Sequence, residues 1–463
     1  MVTMFGRVKH VHLVGVGGVG MGGIAEILLN LGFDVSGSDL RTNDITERLE
    51  RLGGRIQRGH DAANIEGAEV VVTSTAISPD NPEVAAARKQ LIPVIPRVEM
   101  LAELMRMKYS VAVGGTHGKT TATSLIASVL STGGLDPTVV VGGTVKTLGT
   151  GARLGTSEYI VAEADESDGS FLRLSPTIAV VTTVDEEHLD YYSGLDEIKA
   201  AFTQFANSVP FFGCAVVCLD QHSVQSIIPD IHRRVVTYGL TTQADVQGHD
   251  VEPAGELTGL TVVANGEELG RMEIRMPGLH NVYNALSAVA VGLELGVAFE
   301  DIAEGLRSFE GIARRFEIKG EVNDVLVLDD YGHHPAEVAT TLAAASTRWD
   351  RRTVVLFQPH RYSRTQKLAD EFGHAFFDAE VLVVTDIYAA SEEPIPGVTG
   401  ELISDAARRF GHRNSTYVEG RSELLEHALS IIEPGDVVIT LGAGDIYRLG
   451  EELLERLKER GTN

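Results

Sequence analysis

No segment limits the possible folds of this chain as tightly as Gly114-Gly115-Thr116-His117-Gly118-Lys119-Thr120-Thr121. It follows Tyr109-Ser110-Val111-Ala112-Val113, an apolar run of buried-strand length, and opens the helical stretch Lys119 to Leu130. Strand, glycine turn and helix in that order mark an α/β layer with a parallel sheet. The same order builds a phosphate cradle. Glycines let the backbone wrap close to a phosphate, the helix N-terminus presents free N–H groups, and Lys119 adds a point charge. Thr120 offers a hydroxyl suited to Mg²⁺. The usual pattern leaves four residues between its glycines, which here would put the first at Val113. The loop is thus one residue short. The alternative is a plain glycine turn with a surface lysine.

A second glycine run, Gly15-Val16-Gly17-Gly18-Val19-Gly20, follows the short strand His10 to Val14, and Asp39 ends the next strand. This is a dinucleotide fingerprint: pyrophosphate at a helix N-terminus, the acid on a ribose. Any pyrophosphate suits such a loop, a UDP-sugar as well as NAD, and tight strand–helix packing alone would also explain it. Two acidic runs also end strands, Glu163-Ala164-Asp165-Glu166-Ser167-Asp168 and Asp185-Glu186-Glu187-His188-Leu189-Asp190. Carboxylates at strand ends beside a phosphate loop are natural Mg²⁺ ligands. The strands before Glu163 and His188 read as adjacent. Acidic loops are also often only solvated surface.

The chain has 463 residues, enough for about three domains. The pattern divides it into 1–107, 108–317 and 318–463. In the first block, Leu91 to Ile95 reads as a weak strand, since Pro93 suits only an edge or a strand start. In the second, the stretch from Arg234 to Met276 reads as antiparallel hairpins on an α/β core. The third carries four short apolar strands: Val325 to Leu328, Thr353 to Phe357, Val381 to Thr385 and Val437 to Leu441. Asp329 to Pro335, Gln358 to Arg364 and Gly442 to Asp445 follow three of them. Open α/β sheets place ligands at such strand ends. The adjacent His333 and His334 lack partners spaced for zinc.

With 39 basic and 65 acidic residues the net charge is −26, so binding to nucleic acid or an anionic membrane is not expected. No apolar stretch approaches the ~20 residues of a membrane helix. Val11 to Leu29 is not a signal peptide, because glycines and Glu26 interrupt it. Two cysteines, Cys214 and Cys218, exclude a disulfide framework, fit a reducing cytoplasm and read as buried, inert thiols.

The phosphate loop, the two acidic runs, His280-Asn281-Val282-Tyr283-Asn284-Ala285, Arg314-Arg315-Phe316-Glu317 and Asp329-Asp330-Tyr331-Gly332-His333-His334-Pro335 come in one order. That order resembles the Mur ligases of bacterial peptidoglycan synthesis, over nearly the whole chain. The opening glycine run and the Tyr-Gly-His-His-Pro loop look most like the alanine-adding branch. The resemblance implies a UDP-binding Rossmann-like domain, a central ATPase domain and a C-terminal Rossmann-like domain. It implies ATP-dependent joining of L-alanine to UDP-N-acetylmuramate through an acyl phosphate, in a bacterial cytoplasm, by a monomer or weak homodimer. It also accounts for the shortened loop.

By the same resemblance, Gly115, Thr116, His117, Gly118, Lys119, Thr120 and Thr121 would hold ATP, with Lys119 at its β- and γ-phosphates. Thr120 and Glu163 would share one Mg²⁺ and His188 would help hold a second. Lys119, Glu163 and His188 would be the catalytic set. His280, Asn281 and Asn284 would lie by the adenine, and Arg315 and Asp330 by the ATP phosphates and ribose. Tyr331, His333, Arg361 and Arg364 would shape the amino-acid side. Gly17, Gly18, Gly20, Asp39, His60, Ser74 and Thr75 match the UDP-contacting region. Several later Mur ligases carry a carbamylated lysine about fourteen residues beyond the metal histidine. Here that region reads Ala201-Phe202, with Lys199 out of step.

Three rivals stand beside this reading. A murein-recycling relative would add a tripeptide to the same sugar nucleotide and would need a more open amino-acid pocket. An NAD-dependent dehydrogenase on the first glycine run would leave the Lys119 loop without purpose. A non-catalytic nucleotide-binding module would leave the acidic set unexplained.

Overall fold

The structure is a computed structural model that describes residues 8–74, 76–145, 150–188, 191–254, 257–390 and 392–460. Thr75, Leu189 and Asp190 lie outside the described residues. The chain divides into two compact units, residues 1–275 with 279–310, and residues 276–278 with 311–463. Among the described residues the first unit holds two sheets and the second holds one.

The first sheet is wholly parallel, in the order β3-β2-β1-β4-β5. Its strands are β1 (His10–Val14), β2 (Asp34–Asp39), β3 (Arg55–Arg58), β4 (Val70–Thr73) and β5 (Val94–Pro96). β1 is buried at every position, as a strand covered on both faces must be. β5 is an edge strand that starts only at Val94, so Leu91 to Pro93 of the expected strand fall outside it and Pro93 stands just before its start. The helix Val19–Asn30 buries Met21, Ile24, Ala25, Ile27 and Leu28. This helix also packs against two strands of the second sheet, with Gly23 close on Ala152. That shared packing is why the two sheets form one unit.

The second sheet has the order β15-β14-β13-β12-β11-β10-β6-β9-β7-β8. Its strands in chain order are β6 (Tyr109–Gly114), β7 (Thr138–Val145), β8 (Thr150–Arg153), β9 (Tyr159–Glu163), β10 (Ile178–Val181) and β11 (Cys214–Cys218), followed by β12 (Arg234–Gly239), β13 (Val246–Ala254), β14 (Leu257–Ala264) and β15 (Glu267–Ile274). Two expectations change. The stretch from Arg234 is not all hairpin: β12 extends the parallel core beside β11, and antiparallel pairing begins between β13 and β14. The strands before Glu163 and His188 are not adjacent either. β6 lies between β9 and β10, so the phosphate loop rises between the two acidic runs. Strand order comes from how the chain crosses over, which hydropathy does not encode.

The second unit's sheet runs β16-β17-β21-β18-β19-β20. Its strands are β16 (Glu317–Val322), β17 (Val325–Asp330), β18 (Thr353–Phe357), β19 (Val381–Val384), β20 (Ser415–Tyr417) and β21 (Val437–Leu441). β16 is antiparallel to β17 and the other pairings are parallel. Along β17, Leu326 and Leu328 enter one apolar cluster, Val325 and Val327 the other. Alternation of this kind is what a sheet with helices on both faces requires. β21 slots between β17 and β18, so three loops converge at its carboxyl end, the usual ligand position in an open α/β sheet.

Candidate active site

β6 ends in the phosphate loop, and the helix Lys119–Thr132 leaves it. Gly118 caps that helix at φ +80°, and a Cβ there would lie 2.5 Å from Asn284 Oδ1. Gly115 has φ +140°, with Thr182 Oγ1 where a Cβ would be. Only glycine meets both demands. Phe202 and Phe205 back the loop, their rings 3.3 and 3.2 Å from where Gly114 would carry a Cβ. Ala201 and Phe202 are therefore core packing. Thr116 Oγ1 lies 2.8 Å from Thr183 Oγ1, and the Asp185 N–H donates to Thr116 Oγ1. The loop is thus pinned to the segment after β10. Asn284, buried in the helix Leu279–Glu294, donates to Asn281 Oδ1, while His280 is exposed in the first turn.

Lys119 Nζ donates to Gly115 O at 2.7 Å, Thr116 O at 3.1 Å and Glu166 Oε1 at 2.8 Å. Burial opposes the ammonium, but Glu166 and Glu163 outweigh it and raise the Lys119 pKa. Lys119 is therefore a fixed positive charge at the loop. Thr120 Oγ1 donates to Glu163, and the Gly142 N–H donates to Glu163 Oε2. His188 has φ +54°, in the left-handed region. Its Nε2 lies 3.2 Å from Glu166 Oε1 and 3.6 Å from Glu187 Oε2.

Glu166 is the residue that sequence reasoning passed over. It stands in the same acidic run as Glu163, is wholly buried, and joins Lys119 to His188. Its Oε2 has no hydrogen-bond partner among the described residues. Glu166, Glu187 and His188 each bring a ligand atom within 4.8 Å of the others. A buried carboxylate oxygen left without a donor is costly unless a cation faces it. These residues therefore fit a divalent cation, with Thr120 and Glu163 as a second donor pair across β6. His117 belongs to the same surroundings, with Nε2 3.7 Å from Asp185 and 3.8 Å from Glu187.

In the first sheet, the Gly15 and Val16 N–H groups donate to Ser38 O, and the Gly17 N–H donates to Asp39 Oδ2 at 2.9 Å. Asp39 thus braces the glycine turn. Gly18 caps the helix Val19–Asn30 without a side-chain cap, which leaves open N–H groups for an anion. Arg97, which the sequence reading did not single out, lays its guanidinium over Gly20, Nη1 being 3.0 Å from where a Cβ would stand. Ser74 follows β4 beside Gly15. His60 faces inward, Nδ1 3.0 Å from Ser38 Oγ and 3.1 Å from Glu83 Oε2. Glu83, fully buried, also accepts from Ser38 and Asn64, with His12 Nε2 at 3.8 Å. Burial would raise its carboxyl, but His12, Ser38 and Asn64 outweigh that and bring it down to about 2.

In the second unit, Asp330 Oδ2 accepts from the Phe316 N–H, and Oδ1 from the Gly332 N–H and Thr341. Both carboxylate oxygens thus hold the turn together. Arg314 and Phe316 have positive φ and flank Arg315, whose guanidinium lies 5.2 Å from the Tyr331 ring centre. His333 donates from Nδ1 to Tyr331 O, and burial is the main reason its pKa falls to about 4. Its neutral ring keeps Nε2 as an acceptor. Arg361 has φ +71°, and Arg364 Nη1 lies 3.2 Å from His360 Nδ1. Tyr331, His333, Arg361 and Arg364 thus gather at the carboxyl ends of β17 and β18.

The chain matches three family models in succession. They are "Mur ligase family, catalytic domain" over residues 10–109, "Mur ligase middle domain" over 113–292 and "Mur ligase, glutamate ligase domain" over 314–444. The UDP-N-acetylmuramate–L-alanine ligase of Geotalea daltonii is 57% identical over 456 residues, 98% of this chain and 100% of that one. The enzyme of the same name from Syntrophotalea carbinolica is 56% identical over 99% of this chain and 100% of its own. The solved UDP-N-acetylmuramate–alanine ligase of Thermotoga maritima superposes with a TM-score of 0.82 at 28% identity, covering 98% of this chain and 100% of that one. A murein peptide ligase from Psychrobacter arcticus gives 0.73 at 25% identity, over 97% and 99%. A glycine loop that opens a helix, a lysine fixed there as a cation and three family models in succession lead to one conclusion: the chain belongs to the Mur ligase family.

Proposed function

We propose that this chain joins L-alanine to UDP-N-acetylmuramate, converting ATP to ADP and phosphate in peptidoglycan synthesis. One observation carries the choice of substrates: 57% identity, over 98% of the chain, to a UDP-N-acetylmuramate–L-alanine ligase. The site geometry supports the chemistry. A carboxylate does not acylate an amine at neutral pH, because its oxygen is a poor leaving group. Transfer of the ATP γ-phosphoryl to the muramoyl carboxylate gives an acyl phosphate. The alanine amine then attacks its carbonyl carbon, and phosphate departs. In this reading the loop N–H groups and the Lys119 ammonium neutralise the charge on the transferred group, so positioning and electrostatics do most of the catalysis. Mg²⁺, held by Thr120 and Glu163 and by Glu166 with His188, would supply charge neutralisation at the phosphate oxygens. The glycine turn at Gly17 and Gly18, with Arg97 over Gly20, suits the UDP pyrophosphate. The strand-end loops of β17 and β18 suit the amino acid. A reducing cytoplasm is the setting we infer. Burial pushes the Cys214 and Cys218 thiols up to about 12 and about 11, which leaves both unreactive.

The deciding measurement is phosphate release with each substrate omitted in turn. Release should require UDP-N-acetylmuramate, ATP and L-alanine together. Release with UDP-N-acetylmuramate, ATP and a free tripeptide in place of L-alanine, but not with L-alanine, would transfer the chain to the recycling branch.

A further inference from the structure

Four rings from three loops of the second unit form one continuous row. Tyr331 and His333, after β17, have centroids 5.4 Å apart, and His333 lies 5.5 Å from His360, after β18. His360 in turn stacks on Tyr388, after β19, at 5.8 Å and 9°. Tyr388 ends the row and is 41% exposed. Its backbone is tied to the same loop. The Arg361 N–H donates to Tyr388 O at 2.9 Å, and the Tyr388 N–H donates to Pro359 O at 2.8 Å. The ring also rests on the turn after β21, where a Cβ on Gly444 would be 2.7 Å from Tyr388 Cγ. The position of Tyr388 is therefore set by two neighbouring strand-end loops.

The Tyr388 ring lies nearly parallel to the plane of His360. Arg364 donates from Nη1 to His360 Nδ1 at 3.2 Å, so the imidazole must be neutral there and oriented toward the guanidinium. Burial, and then the nearby His333, Arg364, Arg361 and Arg314, lower the His360 pKa to about 3. A neutral ring beside arginines acts as an acceptor that fixes where a guanidinium points. We propose that Tyr388 is a positioning residue for the amino-acid substrate: by stacking on His360 it holds the acceptor that aims Arg364 at the substrate carboxylate. The inference rests on the reading that these loops receive the amino acid. The hydroxyl plays no part in it, since a planar ring is all the stack requires.

The test compares Tyr388→Ala, Tyr388→Phe and Arg364→Ala with the unaltered enzyme, measuring KM for each of the three substrates. Tyr388→Ala should raise KM for L-alanine about five- to tenfold, the size of a lost aromatic stack, and leave those for ATP and UDP-N-acetylmuramate within about twofold. Tyr388→Phe should behave as the unaltered enzyme. In histidine-labelled protein, NMR titration should show the His360 imidazole moving up from about 3 in Tyr388→Ala and staying put in Tyr388→Phe. An unchanged L-alanine KM in Tyr388→Ala, or an equal rise for all three substrates, overturns the proposal. So does a Tyr388→Phe variant as impaired as Tyr388→Ala, or a His360 titration that moves in neither. If Arg364→Ala raises the L-alanine KM while Tyr388→Ala does not, only the role of Tyr388 falls. If neither does, the amino-acid reading of these loops falls with it.

Discussion

Single side chains in this protein are held by partners far away in sequence. Glu83 is the clearest case. It lies on the helix Pro82–Lys89, yet it gathers Ser38, His60 and Asn64 beneath the first glycine turn. Its carboxyl is brought down to about 2 from the usual value, 4.5. A carboxyl whose folded pKa is depressed contributes stability above its unfolded pKa and loses it as pH falls through the folded one. The contribution should therefore be full above about pH 4.5 and fade toward pH 2, with an upper size of about 3 kcal/mol. Urea unfolding of the unaltered chain and of Glu83→Gln checks this. The gap in stability between them should be wide at pH 6 and should narrow as pH falls from about 4.5. A gap that stays constant would show that the charge of Glu83 is not what matters. The sequence drew attention to His60 as a sugar-nucleotide contact. It carried no sign of Glu83, because an acid on a helix face looks the same whether its partner is water or a buried serine.

At the scale of elements, the decisive arrangement is β9, β6 and β10 side by side, with a helix leaving the loop after β6. The turn that starts this helix has no room for a side chain. Gly118→Ala should cost about 1–3 kcal/mol in stability from the left-handed backbone and the clash with Asn284. It should lower kcat/KM for ATP at least about tenfold while UDP-N-acetylmuramate binding stays intact. Thermal melts and steady-state kinetics read the two effects, and an unaltered kcat/KM for ATP would remove the turn from the ATP site. Because β6 separates the acidic runs, Glu163 and His188 flank the loop from opposite sides. Glu163→Ala should impair activity with Mg²⁺ or Mn²⁺ alike. His188→Ala should raise the metal concentration needed for half-maximal rate and lower the rate itself. Metal titrations of activity decide: an unchanged metal dependence in His188→Ala would make it a loop histidine paired with Glu166 and nothing more.

Across the whole molecule, the two glycine loops belong to different sheets, one after β1 and one after β6. Lys119→Ala should therefore nearly abolish turnover and still bind UDP-N-acetylmuramate with unchanged affinity. Calorimetric titration of the folded variant tests this, and lost sugar-nucleotide binding would mean that the loops are not independent. The elements that were legible beforehand share a property. The strand, turn and helix at Val111 to Leu130 announce themselves within about twenty neighbouring residues, as does β1 with its glycine run. Turn chemistry and apolar period are local, so the order of residues specifies them. Other features depend on crossovers and on contacts between residues far apart in sequence. Asp39 braces the glycine turn through the Gly17 N–H, from the end of the next strand. The helix Val19–Asn30 merged the first two sheets into one unit by packing against β7 and β8. Glu166 rather than a neighbouring acid became the link between Lys119 and His188. Residue type and spacing say which groups are available for chemistry. Which of them meet depends on the path of the chain between sheets, because burial and distance arise only once those sheets have packed.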